Sequence, residues 1–557
     1  MRVNIIGNLN KGTGVSQDIK ILHGMIAHVV GEATEIRHVP HFFPHCPEAD
    51  VNFFVEVINP ALFVYAGRNV WVPNPEWTYK TWEPYAKMVD EIWVKTNSAA
   101  AMFSEWTEKV RYIGWTSIDK VFATKKNYSK AIVPSGKNVW RNPKPVIQAY
   151  MRIAAVMPAL FEKLPTLHIV WHSRLPPIPE SIASKVVVLD GFVSEKEYDE
   201  LLHECGAVIC MSAAEGFGHA VNEAMSAGCV PILSPISPFL QLTNNAFWVS
   251  NDKVTPHPTC MGVLEDIQVA SLVESLRDYV NSDFDTKKDI SRKVRNEYNA
   301  RHERFVTTME TVLKQEVPVY SLEALLPKED DLPKVSIITI TRDRRTFMPL
   351  AKYCFLAQTY PADKLEWVIV DDGKDQIKDM ISDLENVKYV LLDEPHTIGQ
   401  KRNIGIEAAS HDVLVMMDDD DVYPNNSVLS RVAHMFGKEC LFSCTIPCYH
   451  IHDKKSFMNV PPMTLPLAER VSEATLCFTR KFWEAGKFPD KQIGEGDAFI
   501  RGREQMCREF SPEDVIVSLA HKNNTSGRKA PEGPSNGCHY GFSDELFTLV
   551  SEIGNTL

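Results

Sequence analysis

The sequence predicts an α/β protein in which two Rossmann-like lobes are followed by a single further α/β domain. Short apolar runs alternate with helical patterns almost to the end of the chain, which is typical of parallel sheets covered by helices. A charged helical stretch, Asp285–Glu316, leads into a segment rich in proline and acidic residues, a composition typical of exposed connectors. The alternation then restarts as a new series. We therefore expect lobes at residues 1–130 and 131–320, a linker at 321–332 and a domain at 333–557.

Each predicted strand is a short apolar run that is bounded by turn residues or followed by a helical pattern. The first lobe is predicted from runs at Val3–Gly7, Val51–Val57, Leu62–Ala66 and Glu91–Lys95. The second lobe is predicted from runs at Ala131–Pro134, Thr166–His172, Lys185–Leu189, Ala207–Ser212 and Val230–Ser234. The last domain begins with Val335–Thr341, Trp367–Val370 and Val413–Met417.

Length and composition restrict the classes of function. The chain has 557 residues and a formal net charge of −13, a balance that repels nucleic acid. It contains no run of about 18 apolar residues and no signal-peptide core, so we expect no transmembrane segment. These features predict a cytoplasmic protein, in the host cytoplasm if the chain is viral, and they are compatible with peripheral membrane association. Twelve scattered cysteines predict no structural disulfides, and no oligomeric state is predicted.

The first site motif lies at Ala207–Ser234, which reads as strand, glycine loop, helix and strand. Gly216 and Gly218 allow a ligand to approach the backbone, and the following helix directs unpaired N–H groups toward it, an arrangement that suits a diphosphate. Glu215 and Glu223 are eight residues apart, so both carboxylates can accept hydrogen bonds from sugar or ribose hydroxyls in one crevice. An isolated pair of this kind would indicate a solvated helix face, but the surrounding EGFG, EAMSAG and CVPI segments favour a site.

This stretch is similar to the signature of glycosyltransferase family 4, whose members are retaining enzymes of the two-lobed GT-B fold, and the resemblance covers about residues 1–320. It implies that Glu223 holds the nucleotide ribose and that Glu215, as the catalytic carboxylate, meets the donor sugar. It also implies that two basic residues neutralise the diphosphate without a metal or other cofactor. Lys137 and Arg141 are the candidates for these positions, with Lys144 as an alternative to Arg141.

Three weaker signals accompany this motif. Gly14, in the loop after the first strand, resembles a position that approaches the donor or acceptor, whereas Gln17 stands where a dinucleotide fingerprint needs a further glycine. The segment Val72–Trp77 either lines an acceptor cleft or forms a rigid loop. His219 either contacts a phosphate or has a capping or buried role.

The second site motif is the acidic run Asp418–Asp421, which directly follows the apolar run Val413–Met417. Burial of that strand brings several carboxylates together at its carboxyl end, where they repel one another without a cation. Mg²⁺ and Mn²⁺ prefer oxygen ligands, so the run predicts such an ion. An EF-hand calcium loop is excluded because Tyr423 occupies the position at which that loop requires a turn glycine.

The order of motifs across about residues 333–557 resembles glycosyltransferase family 2, whose members are inverting, metal-dependent enzymes of the GT-A fold. The resemblance implies that the family's D-x-D maps onto Asp418 and Asp420, with Asp421 as a neighbouring metal ligand and Asp419 in the donor site; four consecutive aspartates leave the register open by one position. It further implies a set of donor-binding residues around the nucleoside: Thr341, Arg342, Asp371 or Asp372, Lys401, Arg402 and Asn403.

The same resemblance implies an acidic pair at a helix start that supplies the catalytic base. Here the pair is Glu495 and Asp497, separated by Gly496, and we assign Asp497 as the base. His521 either completes the metal shell or is a capping or surface histidine. A zinc site at Cys440, Cys444 and Cys448, with His450 and His452, is a competing interpretation, but buried free thiols are the commoner outcome.

The leading hypothesis is a bifunctional glycosyltransferase. Each module would transfer a sugar from a UDP- or GDP-sugar donor to a glycan or glycoconjugate acceptor, and only the C-terminal module would need Mn²⁺ or Mg²⁺. The alternative is that one module binds a nucleotide or glycan without catalysis. A third hypothesis, an oxidoreductase or epimerase acting on nucleotide sugars, requires a bound dinucleotide.

Overall fold

The computed structural model describes residues 1–10, 12–31, 33–171, 175–189, 191, 193–522, 524 and 530–557. The chain divides into two compact units. Unit 1 consists of Met1–His41, Ala49–Ile58 and Arg68–Val319, and unit 2 consists of Phe42–Glu48, Asn59–Gly67 and Tyr320–Leu557. In the described part of the chain, no helix combines the length and the apolar character that crossing a bilayer requires.

Unit 1 contains two six-stranded sheets and a hairpin. The strands of the first sheet are β1 (Arg2–Gly7), β2 (Glu35–Pro40), β3 (Ala49–Val55), β4 (Ala66–Val72), β5 (Glu91–Val94) and β6 (Val110–Tyr112), in the order β2-β1-β3-β4-β5-β6. The strands of the second are β7 (Asn127–Val133), β8 (Thr166–Val170), β9 (Val186–Leu189), β10 (Cys205–Cys210), β11 (Val230–Leu233) and β12 (Phe247–Trp248), in the order β12-β11-β10-β7-β8-β9. The strands of the second sheet are parallel, and β13 (Asn251–Pro256) and β14 (Val263–Ile267) form an antiparallel hairpin.

The helices of unit 1 alternate with these strands along the chain, and the last two follow β14. They are α1 (Gly14–Val30), α2 (Glu83–Met88), α3 (Asn97–Ser104), α4 (Lys144–Val156), α5 (Pro158–Phe161), α6 (Glu195–Glu204), α7 (His219–Ser226), α8 (Ser237–Leu242), α9 (Val269–Asn281) and α10 (Phe284–Leu313). Helix α1 buries Val15, Ile19, Leu22 and Ile26, whose spacing is that of one helix face. Every residue of α7 is buried, so its polar side chains face protein rather than solvent.

Unit 2 is built on a seven-stranded mixed sheet and a three-stranded sheet. The larger sheet contains β15 (Val335–Thr341), β16 (Leu365–Asp371), β17 (Val387–Leu391), β18 (Val413–Met416), β19 (Cys440–Phe442), β22 (Cys477–Thr479) and β23 (Cys507–Glu509), in the order β17-β16-β15-β18-β22-β19-β23. The smaller contains β20 (Ile446–His450), β21 (Lys455–Asn459) and β24 (Ser518–Ala520). The helices are α11 (Met348–Leu356), α12 (Ile398–Ala408), α13 (Ser427–Ala433), α14 (Arg480–Glu484), α15 (Glu495–Ile500) and α16 (Asp544–Thr556).

The predicted α/β class is confirmed, because parallel sheets interleaved with helices are followed by a further α/β sheet. One predicted strand is wrong. Residues 62–66 lie mostly within a 3₁₀ helix, Pro60–Tyr65, which begins where the Asn59 side chain accepts from Ala61 N and Pro60 presets the helical φ. Strand β4 follows directly. The predicted run Thr166–His172 forms β8, although His172 lies outside the described residues.

Candidate functional sites

Glu215 of unit 1 is buried in an ion pair with Arg141. Arg141 Nε and Nη2 donate to the two carboxylate oxygens at 2.5 and 2.9 Å, and Ser212 Oγ donates at 3.0 Å. Burial alone would lower the pKa of Arg141, but the negative charge of Glu215 raises this pKa above its ordinary value. The structure therefore brings together the predicted sugar contact and one predicted phosphate contact. The other basic candidates, Lys137 and Lys144, are exposed.

Glu223 is held on helix α7 by residues far away in the sequence. Gln17 Nε2 donates to its Oε1 at 2.7 Å, and Lys120 Nζ lies 3.8 Å from the same oxygen. Burial raises the pKa of Glu223 despite the nearby positive charge of Lys120. Gln17, the residue that argues against a dinucleotide fingerprint, is thus a partner of the predicted ribose ligand.

A buried network surrounds His219 at the start of α7. His219 Nε2 lies 2.9 Å from Asp18 Oδ1, and its Nδ1 lies 2.8 Å from Ser117 Oγ. Lys95 bridges Asp18 to Asn74, donating to Asn74 Oδ1 at 2.8 Å. This geometry gives His219 a buried, hydrogen-bonded position. Sequence reasoning missed Asp18, whose one signal is a charge on the otherwise apolar face of α1.

Two of the three predicted glycines of this site, Gly216 and Gly218, pack closely against other segments. A side chain at Gly216 would overlap the amide group of Asn74. Gly218 has a φ of 95°, a left-handed conformation that favours glycine, and a side chain there would meet Phe239. Gly14 lies beside His219, whose Cδ2 would be 3.9 Å from an added Cβ.

Glu76, in the segment Val72–Trp77, is a further buried carboxyl in unit 1. It is 7% exposed, and within the described part of the chain its Oε2 has no hydrogen-bond partner. Burial, reinforced by the negative charge of Glu215, raises the pKa of Glu76 to about 8. The segment therefore places a carboxyl, largely protonated at neutral pH, within electrostatic range of Glu215.

Unit 2 contains a cavity of ≈ 330 Å³ at the carboxyl ends of β15 and β18. Its lining includes predicted donor and metal residues from separate segments: Thr341, Arg342, Lys401, Arg402 and Asp418–Asp421. Helix α12 begins with a capping box in which Thr397 and Gln400 satisfy each other's backbone N–H groups. Because the first turn of α12 is fixed in this way, Lys401 and Arg402 in the next turn lie at the cavity wall.

Arg344 binds two aspartates of the acidic run. Its Nη1 donates to Asp419 at 2.9 Å and also to Asp420, whose Oδ2 lies 3.2 Å from His521 Nε2. Burial raises the pKa of Asp419 to about 7, whereas His521 and Arg344 outweigh burial and lower that of Asp420. Sequence reasoning missed Arg344, although the cluster of three arginines after β15 was a signal.

The other two aspartates of the run have different surroundings. Asp421 Oδ1 accepts from Ser518 Oγ at 2.7 Å and from Leu519 N at 2.9 Å. The side chain of Asp418 is 25% exposed and lies 3.3 Å from Arg402 Nη1. Asp418 and Asp420 thus border the cavity, and Asp421 also ties the run to β24. Among the described residues, no three His, Cys, Asp or Glu side chains are grouped closely enough to hold a metal ion.

Three other predicted donor residues do not line the cavity. Asp372 is buried and pairs with Lys401 at 2.8 Å, so it supports the cavity wall. Asp371 accepts from Tyr389 OH at 2.6 Å and from Gly373 N at 2.8 Å. Asn403 accepts from Trp483 Nε1 at 2.9 Å.

The acidic pair at the start of α15 is split by the structure. Glu495 is buried at the cavity wall and accepts from Arg402 Nε at 3.1 Å. Asp497 is absent from the lining and pairs with Arg501 at 2.5 Å. Glu473 also lines the cavity, and sequence reasoning missed it because nothing in the sequence places it near α15. The competing cysteines, Cys440, Cys444 and Cys448, are buried free thiols.

Two family models match the chain. Residues 336–490 match glycosyl transferase family 2, and residues 181–296 match glycosyl transferases group 1. The prediction of two different glycosyltransferase segments is therefore confirmed for these ranges.

Curated relatives and solved structures also align with parts of the chain. A GDP-mannose:cellobiosyl-diphosphopolyprenol alpha-mannosyltransferase of Xanthomonas oryzae pv. oryzae (strain PXO99A) is 32% identical over 112 residues, 20% of this chain and 26% of the relative. A protein of the same name from Komagataeibacter xylinus is 55% identical over 49 residues, 9% and 12% of the two chains. The chain thus matches about a quarter or less of the length of these relatives.

The crystal structure of Anabaena Alr3699/HepE in complex with UDP and glucose aligns at 12% identity and a TM-score of 0.42, covering 56% of this chain and 98% of that one. A mannosyltransferase from Pyrobaculum calidifontis in complex with GDP-Man and Mn²⁺ aligns at 18% identity and a TM-score of 0.28, covering 38% and 63%.

Proposed function

We propose that this chain, in which a glycosyl transferases group 1 segment precedes a glycosyl transferase family 2 segment, is a bifunctional glycosyltransferase with one active site in each unit. Each site would take a nucleotide sugar and extend a glycan or glycoconjugate acceptor. The observation that carries the proposal is the meeting of predicted donor residues from three separate segments in one cavity of unit 2.

In unit 2 we propose an inverting, metal-dependent transfer. The carboxylates of Asp418 and Asp420, with the His521 imidazole beside Asp420, are ligand types that Mg²⁺ and Mn²⁺ bind, and the donor diphosphate would supply further oxygen ligands. Bound there, such an ion would neutralise charge on the departing nucleoside diphosphate. Lys401 and Arg402 add positive charge on the same wall.

In unit 1 we propose a retaining transfer that needs no metal. Arg141 would exchange its bond to Glu215 for a bond to the diphosphate when the donor binds, which leaves Glu215 able to contact the donor sugar. Glu223 would hold the ribose from its buried position on α7. The names of the matched relatives make GDP-mannose the first donor to try.

The test compares two site variants of the full chain in a screen of UDP- and GDP-sugars. Asp420→Asn should abolish one transfer activity, the one that EDTA also abolishes, and Glu223→Ala should abolish only the activity that survives EDTA. Asp412→Asn and Glu274→Ala, at exposed positions of the same units, are the matched controls. Loss of both activities in either site variant would contradict two independent sites.

The second candidate function is that unit 1 only binds a nucleotide or glycan. The Arg141–Glu215 pair favours it, because both groups are committed to each other in this structure. Calorimetry on the Asp420→Asn chain distinguishes the two: nucleotide-sugar binding without turnover supports a binding module, and turnover supports a second active site.

A further inference from the structure

The carboxylates that line the unit 2 cavity differ in the partners they already have. Asp419 and Asp420 accept from Arg344, and Asp421 accepts from Ser518 and from the backbone. Arg402 lies between Asp418 and Glu495 and binds both. Four of these five carboxylates already pair with an arginine, and Asp421 is held by Ser518 and the backbone, so all five are poorly placed to take a proton from a substrate.

Glu473 is the sixth carboxylate of the lining, and its surroundings are different. The hydrogen bond that its carboxylate accepts is from Gly496 N to Oε1, at 3.1 Å. Glu473 belongs to the short 3₁₀ helix Glu473–Thr475, which directly precedes β22 and so has a fixed position in the fold. Of the residues that the structure describes, none donates a hydrogen bond to the second carboxylate oxygen, which is therefore available to a molecule in the cavity.

The glycine between the two acids of α15 is explained by Glu473. A Cβ added at Gly496 would lie 2.8 Å from both Cγ and Oε1 of Glu473, closer than real contacts allow. The Glu473 carboxylate thus occupies the space that a side chain at position 496 would fill. Glu473 and Glu495 come from different segments and lie near each other. They form an acidic pair in space, whereas in the sequence Gly496 separates Glu495 from Asp497.

Asp497 is placed differently. Its side chain is 29% exposed and paired with Arg501, which also binds Glu469 at 3.0 Å. Neither Asp497 nor Arg501 belongs to the cavity lining.

We propose that Glu473, rather than Asp497, accepts the proton from the acceptor hydroxyl in unit 2. This inference rests on the glycosyl transfer proposed for that unit. The acceptor oxygen forms a bond to the anomeric carbon while the bond from that carbon to the diphosphate oxygen breaks, and the leaving diphosphate keeps the electron pair. The hydroxyl proton passes to the second carboxylate oxygen of Glu473. Glu495 is a positioning residue that holds Arg402.

The electrostatics of the pair are consistent with this role. Burial, together with the adjacent charge of Glu495, raises the pKa of Glu473 to about 7, and the nearby positive charge of Arg402 only partly opposes this rise. A base with a pKa near the working pH is ionised in part of the molecules and still holds a proton well once it has taken one. An ordinary exposed glutamate would be a weaker proton acceptor.

The decisive experiment compares Glu473→Gln with Asp497→Asn in the full chain. Glu473→Gln should lower kcat for the EDTA-sensitive transfer by about 10²–10⁴-fold. The donor KM should change little, and the limb of the pH profile near 7 should disappear. Asp497→Asn should leave kcat nearly unchanged. A large loss in Asp497→Asn with little change in Glu473→Gln would overturn the assignment.

A second measurement separates this inference from the proposed function. Infrared pH-difference spectra of the full chain report carboxyl titration whether or not transfer occurs. A carboxyl titrating near pH 7 that is lost in Glu473→Gln supports the assignment, and the absence of such a difference contradicts it. Failure of the wild-type chain to transfer any sugar would instead count against the activity proposed for unit 2.

Discussion

Individual carboxylates in both units are buried next to cations that come from distant parts of the sequence. Arg141 holds Glu215, and Arg344 holds the middle aspartates of the acidic run. Removal of one partner leaves an uncompensated charge in a poorly hydrated place, which costs more than removal of both. These pairs therefore affect stability as well as ligand binding, and variants must be judged on both.

Arg141→Ala should destabilise unit 1 by about 3–5 kcal/mol, because the Glu215 carboxylate remains buried without its cation. The double variant Arg141→Ala, Glu215→Ala should lose less stability than the sum of the two single variants. Urea unfolding of the four proteins measures this coupling energy. Strict additivity would show that the pair is not formed in solution.

Glu76 should make the stability of unit 1 depend on pH. Its pKa is raised from about 4.5 to about 8 by folding, so the unfolded chain releases the proton at lower pH than the folded chain does. The free energy of unfolding should then fall as pH rises from about 4.5 to about 8, by at most about 1.4 kcal/mol per pH unit. Glu76→Gln should lack this contribution, and denaturant unfolding at pH 5.5, 6.5 and 7.5 compares the two. If the free energy of unfolding varied with pH in the same way in Glu76→Gln and in the unchanged chain, this prediction would be contradicted.

The sequence could predict those site residues that follow a recognisable local pattern. Asp418–Asp421 follow a strand of Val, Leu and Met, and Lys401 and Arg402 lie one turn into a capped helix. Glu473 and Glu76 could not be predicted in the same way, because their importance depends on contacts with residues far along the chain. Gly496 marks a position where no side chain fits, but only the structure shows that Glu473 fills that space.

Short apolar segments were predicted well where they form central strands and less well elsewhere. The runs that became β1, β3, β10 and β15 are continuously buried over most of their length, a pattern that few other structures share. The run Leu62–Ala66 is as apolar as these, but the preceding Asn59 and Pro60 start a 3₁₀ helix instead. The edge strand β2 was missed because its side chains are mostly half-exposed and carry charge.

The start of helix α12 should tolerate no side chain at Gly399. A Cβ there would overlap the carbonyl oxygen of Pro489, and Gly399 N donates to Lys491 O at 3.0 Å. Gly399→Ala should therefore destabilise unit 2 by about 1–3 kcal/mol and weaken donor binding by moving Lys401 and Arg402. Thermal unfolding and calorimetry measure the two effects. Gly24→Ala, at an open position of α1, is the control and should be neutral or slightly stabilising.

The division of the chain into units does not follow sequence order alone. Two short segments near the N-terminus, Phe42–Glu48 and Asn59–Gly67, belong to unit 2, although the segments around them belong to unit 1. Val64 is part of the same hydrophobic core as Val335 and Trp367, and Tyr320 donates its hydroxyl to Val64 O. Composition and periodicity report local structure, so they could locate the change near residue 320 but not this distant contribution.

A fragment that begins at Tyr320 should consequently be less stable than unit 2 in the full chain. It lacks Val64, and burial of a valine side chain contributes about 1.5–3 kcal/mol. Val64→Ala in the full chain should lose part of this, about 1 kcal/mol, whereas Val319→Ala, at an exposed position, should have no effect. Hydrogen exchange of β15 and β16 reports the stability of the core in the full chain, the fragment and the two variants. Equal protection in the fragment and the full chain would show that the N-terminal segments do not stabilise unit 2.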